Sequence, residues 1–226
     1  MALSREDSDR ITSILIEKEI FSGGGYYDFH EAGENQLFVL THFGLEPSSK
    51  VLDIGCGCLR GGRWLIPFLN PKCYFGLEPN IEMLEVGKTI VVDSETMDEK
   101  KPIFHSNANF DFGIFDTSFD YLIARSIWTH SSKKQIEKML DQFVRNSSSS
   151  AKFLTSYMKP RIPIFDDYKG DRWIGKSHES NQPGITRHGF KWIKKACDER
   201  GLSVINIDSN LNYKAQIWLL IEKKIS

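Results

Sequence analysis

No apolar run in this chain approaches the roughly 18 to 20 residues that a membrane-spanning helix needs. The N-terminal MALSREDSDRITS has no basic stretch leading into an apolar one, so no secretory signal is expected. Cysteine is scarce: Cys56, Cys58, Cys73 and Cys197 are the only four, and their spacing outlines no disulfide framework. A cytoplasmic, reducing setting is the expectation. An excess of either charge is also missing, since 29 Lys and Arg face 30 Asp and Glu for a formal net charge of -1. A nucleic-acid binder usually carries a basic surplus, so neither nucleic acid nor membrane is an expected partner. A small polar molecule is, and the oligomeric state stays open. Internal repeats and domain-splitting linkers are absent too. The 226 residues, 40% hydrophobic and 26% charged, suit a single globular domain over 1–226.

What is present is strand–helix alternation. Residues 8 to 20 carry Ile11, Ile14 and Leu15 on one helical face, with Asp7 or Ser8 as the cap. Gly23-Gly24-Gly25 stops that helix, and a second covers about Glu31 to Phe43. Strands are expected at Val51–Ile54, Cys73–Leu77, Ile103–His105, Phe119–Ala124 and Lys152–Tyr157. Helices are expected at Arg60–Leu69, Ile81 to about Ile90, Lys133–Val144, and from a Thr186 cap to Arg200. Asp93–Lys101 reads as a charged connection and Ser147–Ser150 as a loop. Leu202–Ile207 and Ala215–Ile221 close the chain as a pair separated by little more than a turn, which makes them antiparallel. The resulting fold class is α/β, a doubly wound, mainly parallel sheet with helices on both faces. Two regions stand outside the alternation: residues 1–45, a helical lid, and 158–185, an irregular insertion on the substrate side.

VLDIGCGCLRGG, Val51 to Gly62, holds four of the seventeen glycines. In open α/β sheets ligands sit beyond the carboxyl ends of the strands. Gly55 and Gly57 let the backbone turn there without Cβ clashes. The next strand ends at Glu78, about 20 residues on, where a carboxylate accepts the hydroxyls of a ribose. The rivals separate on chemistry. No Gly-Lys-Ser/Thr comes after the turn, as an NTPase loop requires. The spacing Gly55, Gly57, Gly61 is one residue too long for a dinucleotide loop. Asp53 just before the turn suits a cation better than a pyrophosphate. Cys56 and Cys58 lack a second ligand pair, so no metal is expected. These features point to S-adenosyl-L-methionine. An NAD-dependent oxidoreductase and a non-catalytic nucleoside-binding module remain the alternatives.

The sequence resembles the class I S-adenosylmethionine-dependent methyltransferases, in a small bacterial-type form, from about Gly25 to the C-terminus. VLDIGCG is similar to the family's first motif, YFGLEPN to its second, and FDYLIARSIWTH to the motif after its fourth strand. The resemblance implies a Rossmann-like sheet of seven strands with the last antiparallel. It also implies roles. Gly55, Cys56 and Gly57 would pass under the methionine part of the cofactor, Glu78 would hold the ribose, and Pro79 and Asn80 would flank the adenine. Asn109 and Phe110 would contact the adenine from the third strand's end, and Arg125 and Ser126 would lie near the sulfonium. Cys58 stands where many members have glycine. Arg60, opening the helix after the loop, is placed to meet the methionine carboxylate.

Further candidates concern the acceptor. Trp128 could contact the acceptor and His130 could take its proton, or His130 and Thr129 could cap the next helix, with Trp128 packing beside them. Tyr26 and Tyr27 could close over the cofactor or anchor the first helix. Tyr168, Arg172 and His178 of the irregular insertion could bind the acceptor. The expected reaction is methyl transfer to oxygen or nitrogen of a small polar molecule, with a sugar or sugar-phosphate of a surface-polysaccharide or specialised pathway as the leading candidate.

Overall fold

The computed structural model describes residues 4–20, 25–161, 168–207, 209–212 and 214–224. The chain forms two compact units, Met1–Ser106 and Asn107–Ser226. The first contains α1 (Arg5–Glu17), α2 (Phe29–His42), β1 (Val51–Ile54), α3 (Gly62–Phe68), β2 (Tyr74–Leu77), α4 (Ile81–Val86), α5 (Ser94–Lys100) and β3 (Ile103–His105). Its strands lie in the order β3-β2-β1 and are parallel, with Val51 opposite Tyr74 and Phe75 opposite Ile103. The four residues of β1 and the four of β2 are all buried, as expected of parallel strands covered on both faces.

The second unit contains β4 (Phe119–Ala124), α6 (Lys133–Asn146), β5 (Ser147–Tyr157), α7 (Phe190–Asp198), β6 (Leu202–Asn206) and β7 (Ile217–Lys223), ordered β4-β5-β7-β6. β4 and β5 are parallel, and β7 is antiparallel to both β5 and β6. The seven strands thus make the mainly parallel, Rossmann-like sheet expected, with the last strand reversed. The core of this unit includes Phe119, Phe143, Phe153, Trp218 and Leu219, all fully buried.

Several local expectations need correction. α1 begins earlier than expected because Ser4, not Asp7 or Ser8, caps it, accepting the Asp7 N–H at 3.0 Å. Ser8 is buried instead, where its hydroxyl accepts from Arg63 at 2.7 Å. The charged connection after residue 92 is a helix, α5, capped by Asp93 and ended by Lys101 at φ 49. Ser147–Ser150 belongs to β5; Ser147 pairs with Phe119, and regular pairing resumes at Tyr121 opposite Lys152 after a bulge. α7 starts at Phe190 rather than after Thr186. Gly189, extended at φ -71 and ψ 130, delays it, and in the irregular stretch before it Thr186 N–H donates to the Thr129 carbonyl (2.7 Å) and His188 N–H to that of Met158 (3.0 Å). The link between β6 and β7 is more than a turn and includes the 3-10 helix Ser209–Leu211.

One glycine fixes how α2 meets the β1 loop. A Cβ on Gly33 would lie 2.4 Å from the Arg60 carbonyl oxygen and 2.7 Å from Trp64 Nε1. Gly33→Ala is therefore expected to destabilise the protein by about 1–3 kcal/mol, since the nearest obstacle is backbone. An unchanged thermal midpoint would mean that α2 shifts aside at no cost.

Candidate active site

The turn after β1 is built from alternating left-handed residues: Gly55 (φ 69), Gly57 (φ 58) and Leu59 (φ 59). Cys58 is not among the positive-φ residues, which is why a side chain is tolerated where a glycine was awaited. The buried carboxylate of Glu78 closes the turn. Its Oε2 accepts the Gly57 N–H at 2.9 Å and its Oε1 the Asn80 N–H at 2.8 Å. Asn80 caps α4 through its own side chain, accepting the Met83 N–H, and Pro79 between them is half-buried. A Cβ on Gly87, in the π-helical continuation of α4 (Gly87–Val91), would lie 2.8 Å from the Cys58 carbonyl carbon, so α4 is seated directly against the turn.

Arg60 lies in the turn and not in the helix, because Leu59 in the left-handed region delays α3 to Gly62. Its guanidinium is close enough to lower the pKa of both Asp53 and Cys58. Cys56 and Cys58 are buried free thiols; burial holds Cys56 well above the usual thiol range and pushes Cys58 up to about 11. Among the described residues no three His, Cys, Asp or Glu side chains come together as metal ligands.

Asp53 departs from the fixed negative charge that its place in the sequence suggested. It is buried in β1 and accepts the Tyr74 hydroxyl at 2.7 Å. Burial pushes its pKa up to about 7, against the Tyr74 hydrogen bond, which lowers it. Between the ordinary value of 3.8 and about 7 the unfolded chain has lost this proton while the folded chain keeps it. Stability through this group therefore falls as pH rises from about 4 to about 7 and is flat above. Asp53→Asn should remove that part of the pH dependence, since an amide oxygen still accepts from Tyr74. Chemical denaturation at pH 5 and pH 8 checks this; identical slopes in both proteins would exclude Asp53 as the source.

In the second unit, the carboxyl ends of β4 and β5 and the start of β7 carry a polar network. Ser126, left-handed at φ 64, donates its N–H to Ser156 Oγ at 2.8 Å. Gln216 completes the network: its Oε1 accepts from Ser156 Oγ (2.7 Å) and from Arg125, and its Nε2 donates to Ser126 Oγ at 2.9 Å. Thr129 Oγ1 donates to the Ser126 carbonyl at 2.8 Å. Nothing in the sequence marked Gln216 or Ser156.

His130 sits four residues beyond Ser126, half-buried. Its Nδ1 lies 2.8 Å from the Ile174 carbonyl, and the ring stacks on Trp173 with centroids 5.3 Å apart. Burial lowers its pKa below 6.5, opposed by the backbone carbonyls of Ile174 and Gly184. Neither His130 nor Thr129 caps α6. That is done by Ser132 and Gln135 in a reciprocal capping box.

No family model matches the sequence. Solved structures do match. A glycopeptide N-methyltransferase, MtfA, solved with S-adenosyl-L-methionine, aligns with a TM-score of 0.62 at 12% identity over 85% of this chain and 93% of its own. The magnesium protoporphyrin IX methyltransferase of Synechocystis, solved with the same molecule, gives 0.61 at 12% identity over 99% of this chain and 100% of its own. An S-adenosylmethionine-dependent methyltransferase of Clostridium acetobutylicum gives 0.62 at 11% identity over 97% and 99%. The fold is that of the S-adenosylmethionine-dependent methyltransferases.

The remaining candidates fall at varied places in this methyltransferase fold. Trp128, an acceptor candidate, lies in the core, fully buried and edge-on to Phe153 at 6.0 Å. Tyr26 ties down the end of α1, its hydroxyl donating to the Ile20 carbonyl at 2.7 Å, whereas Tyr27 is 82% exposed. Gly23 and Gly24 of the triple glycine expected to stop the first helix, and Asp166 and Asp167 of the insertion, lie outside the described residues. Asn109 is exposed and accepts the Asp111 N–H at 3.2 Å, while Phe110 is left-handed at φ 54. Tyr168 accepts the Arg172 N–H at 3.3 Å, and His178 is exposed beside Glu179. Among the described residues no helix is long and apolar enough to cross a membrane.

Proposed function

We propose that this protein is an S-adenosyl-L-methionine-dependent methyltransferase acting on an oxygen or nitrogen of a small polar acceptor. The observation that carries the reading is the buried carboxylate of Glu78, poised at the end of β2 with one oxygen on Gly57 N–H and the other on Asn80 N–H. A carboxylate at the end of the second strand is the group that accepts ribose hydroxyls in nucleoside-binding sheets. The turn fits a nucleoside: Gly55 and Gly57 keep Cβ atoms away from it, and the Arg60 guanidinium is at hand for a carboxylate.

When bound, the cofactor supplies an electrophilic methyl group. The chain's own work is then to bind, orient and exclude water. In the first unit, Glu78 and the turn are proposed to hold the nucleoside and Arg60 to meet the amino-acid end; in the second, Arg125 and Ser126 are proposed as cofactor contacts, held in place by Gln216. His130, neutral at pH 7, takes the acceptor's proton. Tyr168, Arg172 and His178 are proposed to shape the acceptor site, with a sugar or sugar-phosphate as the leading class.

Titration calorimetry with S-adenosylhomocysteine and with NAD tests the cofactor directly. Binding of the first and not the second supports the reading; the reverse selects an oxidoreductase. Binding without S-adenosylhomocysteine production across hydroxyl and amine acceptors would instead leave a nucleoside-binding module.

A further inference from the structure

Residues 130 and 174 are bonded to each other twice. Ile174 N–H donates to the His130 carbonyl at 2.8 Å, and the Ile174 carbonyl faces His130 Nδ1, also at 2.8 Å. A carbonyl oxygen can only accept, so Nδ1 must carry the proton. In a neutral ring Nε2 then holds the lone pair. The Gly184 carbonyl faces the same ring as a second acceptor. This close approach depends on glycine. Gly175 is buried at φ 102, and a Cβ there would lie 2.7 Å from His130 Nδ1 and 2.6 Å from the Gly184 oxygen. A Cβ on Gly184 would in turn lie 2.3 Å from the Ile174 side chain. Trp173 covers one face of the imidazole.

We infer that the Trp173–Gly184 segment is the orienting partner of His130: its carbonyl at Ile174 fixes the Nδ1–H tautomer, with Gly175 and Gly184 as positioning residues. This rests on the reading of His130 as the base. The Ile174 carbonyl does with a backbone dipole what a carboxylate does behind the histidine of a catalytic triad. As the acceptor oxygen bonds to the methyl carbon, sulfur keeps the electron pair of the breaking bond and the hydroxyl proton passes to Nε2. The imidazolium that results keeps its Nδ1–H on the Ile174 carbonyl and has an aromatic face beside it, both of which stabilise the charge. The charged groups flanking the ring along the chain, Lys133, Lys134, Asp171, Arg172 and Lys176, are not among the causes of its pKa shift; burial and the two carbonyls are. An irregular segment that reads as an acceptor-pocket wall is thereby part of the catalytic machinery.

Two-bond proton–nitrogen NMR on histidine-labelled enzyme at pH 7.5, with His130 assigned by its loss in His130→Ala, reads the tautomer without any turnover. The expected result is Nδ1–H in the wild type. Gly175→Ala is expected to show Nε2–H, a kcat about tenfold lower or more and little change in KM. Wild-type His130 in the Nε2–H form overturns the inference, and needs no variant to fold. A folded Gly175→Ala enzyme with Nδ1–H and full kcat overturns it as well. The base reading fails separately: full activity in His130→Ala removes the base but leaves an observed Nδ1–H tautomer standing. Lost activity with an Nε2–H wild type keeps the base and removes the orienting segment.

Discussion

Replacing Glu78 with alanine should weaken S-adenosylhomocysteine binding by more than tenfold in titration calorimetry. Two costs act together. The ribose hydroxyls lose their acceptor, and the Gly57 and Asn80 N–H groups, now satisfied by the same carboxylate, are left without a partner in a buried site. An orphaned buried donor costs about 1–3 kcal/mol, and about 1.4 kcal/mol is tenfold in affinity. Glu78→Gln keeps the shape but turns an amide N–H₂ toward one of the two donors, so it should also bind more weakly than wild type. Thermal midpoints measured alongside separate loss of the cofactor contact from loss of the turn. An unchanged affinity in Glu78→Ala would remove the cofactor assignment.

His130→Ala should lower turnover by about 100-fold, within the range of general-base contributions, and leave S-adenosylhomocysteine affinity nearly intact. The pH profile carries the same information. Burial holds the ring's pKa below 6.5, so the neutral, proton-accepting form dominates at neutral pH. Wild-type kcat should fall as acid protonates Nε2, at a pH below 6.5, and the limb should vanish in the variant. Full activity in His130→Ala, or an acid limb unchanged by it, would make the residue a structural link between the β4 end and the insertion.

The parts of this fold that were legible are those where an apolar period meets a stop signal. β1, β3 and β4 lie at their expected bounds because short apolar runs lie between turn residues, and α6 stands out through Ile136, Met139, Leu140 and Phe143 on one face. α5 was not legible because it buries nothing: its only signal is the cap at Asp93, which accepts the Thr96 N–H at 2.8 Å. The serine run hid a strand because its pairing is backbone bonding, to which side-chain polarity is blind. In the site, Glu78 was legible from its distance to the turn. Gln216 was not, since a lone glutamine before a strand is ordinary until Ser126, Ser156 and Arg125 are seen around it. Trp128 stands two residues before His130 in the sequence, yet its ring turns into the core against Phe153.

The capping box at Ser132 and Gln135 has a consequence for how this loop can change. Starting α6 falls to Ser132, and the acceptor's proton is proposed to fall to His130, only two positions away. The helix keeps its anchor whatever stands at 130, so that position is open to asparagine, tyrosine or glutamate without unravelling α6. If His130 is the base proposed above, such a division of labour would let one scaffold try several acceptor chemistries in turn and make residue 130 the place to begin redirecting the protein by design.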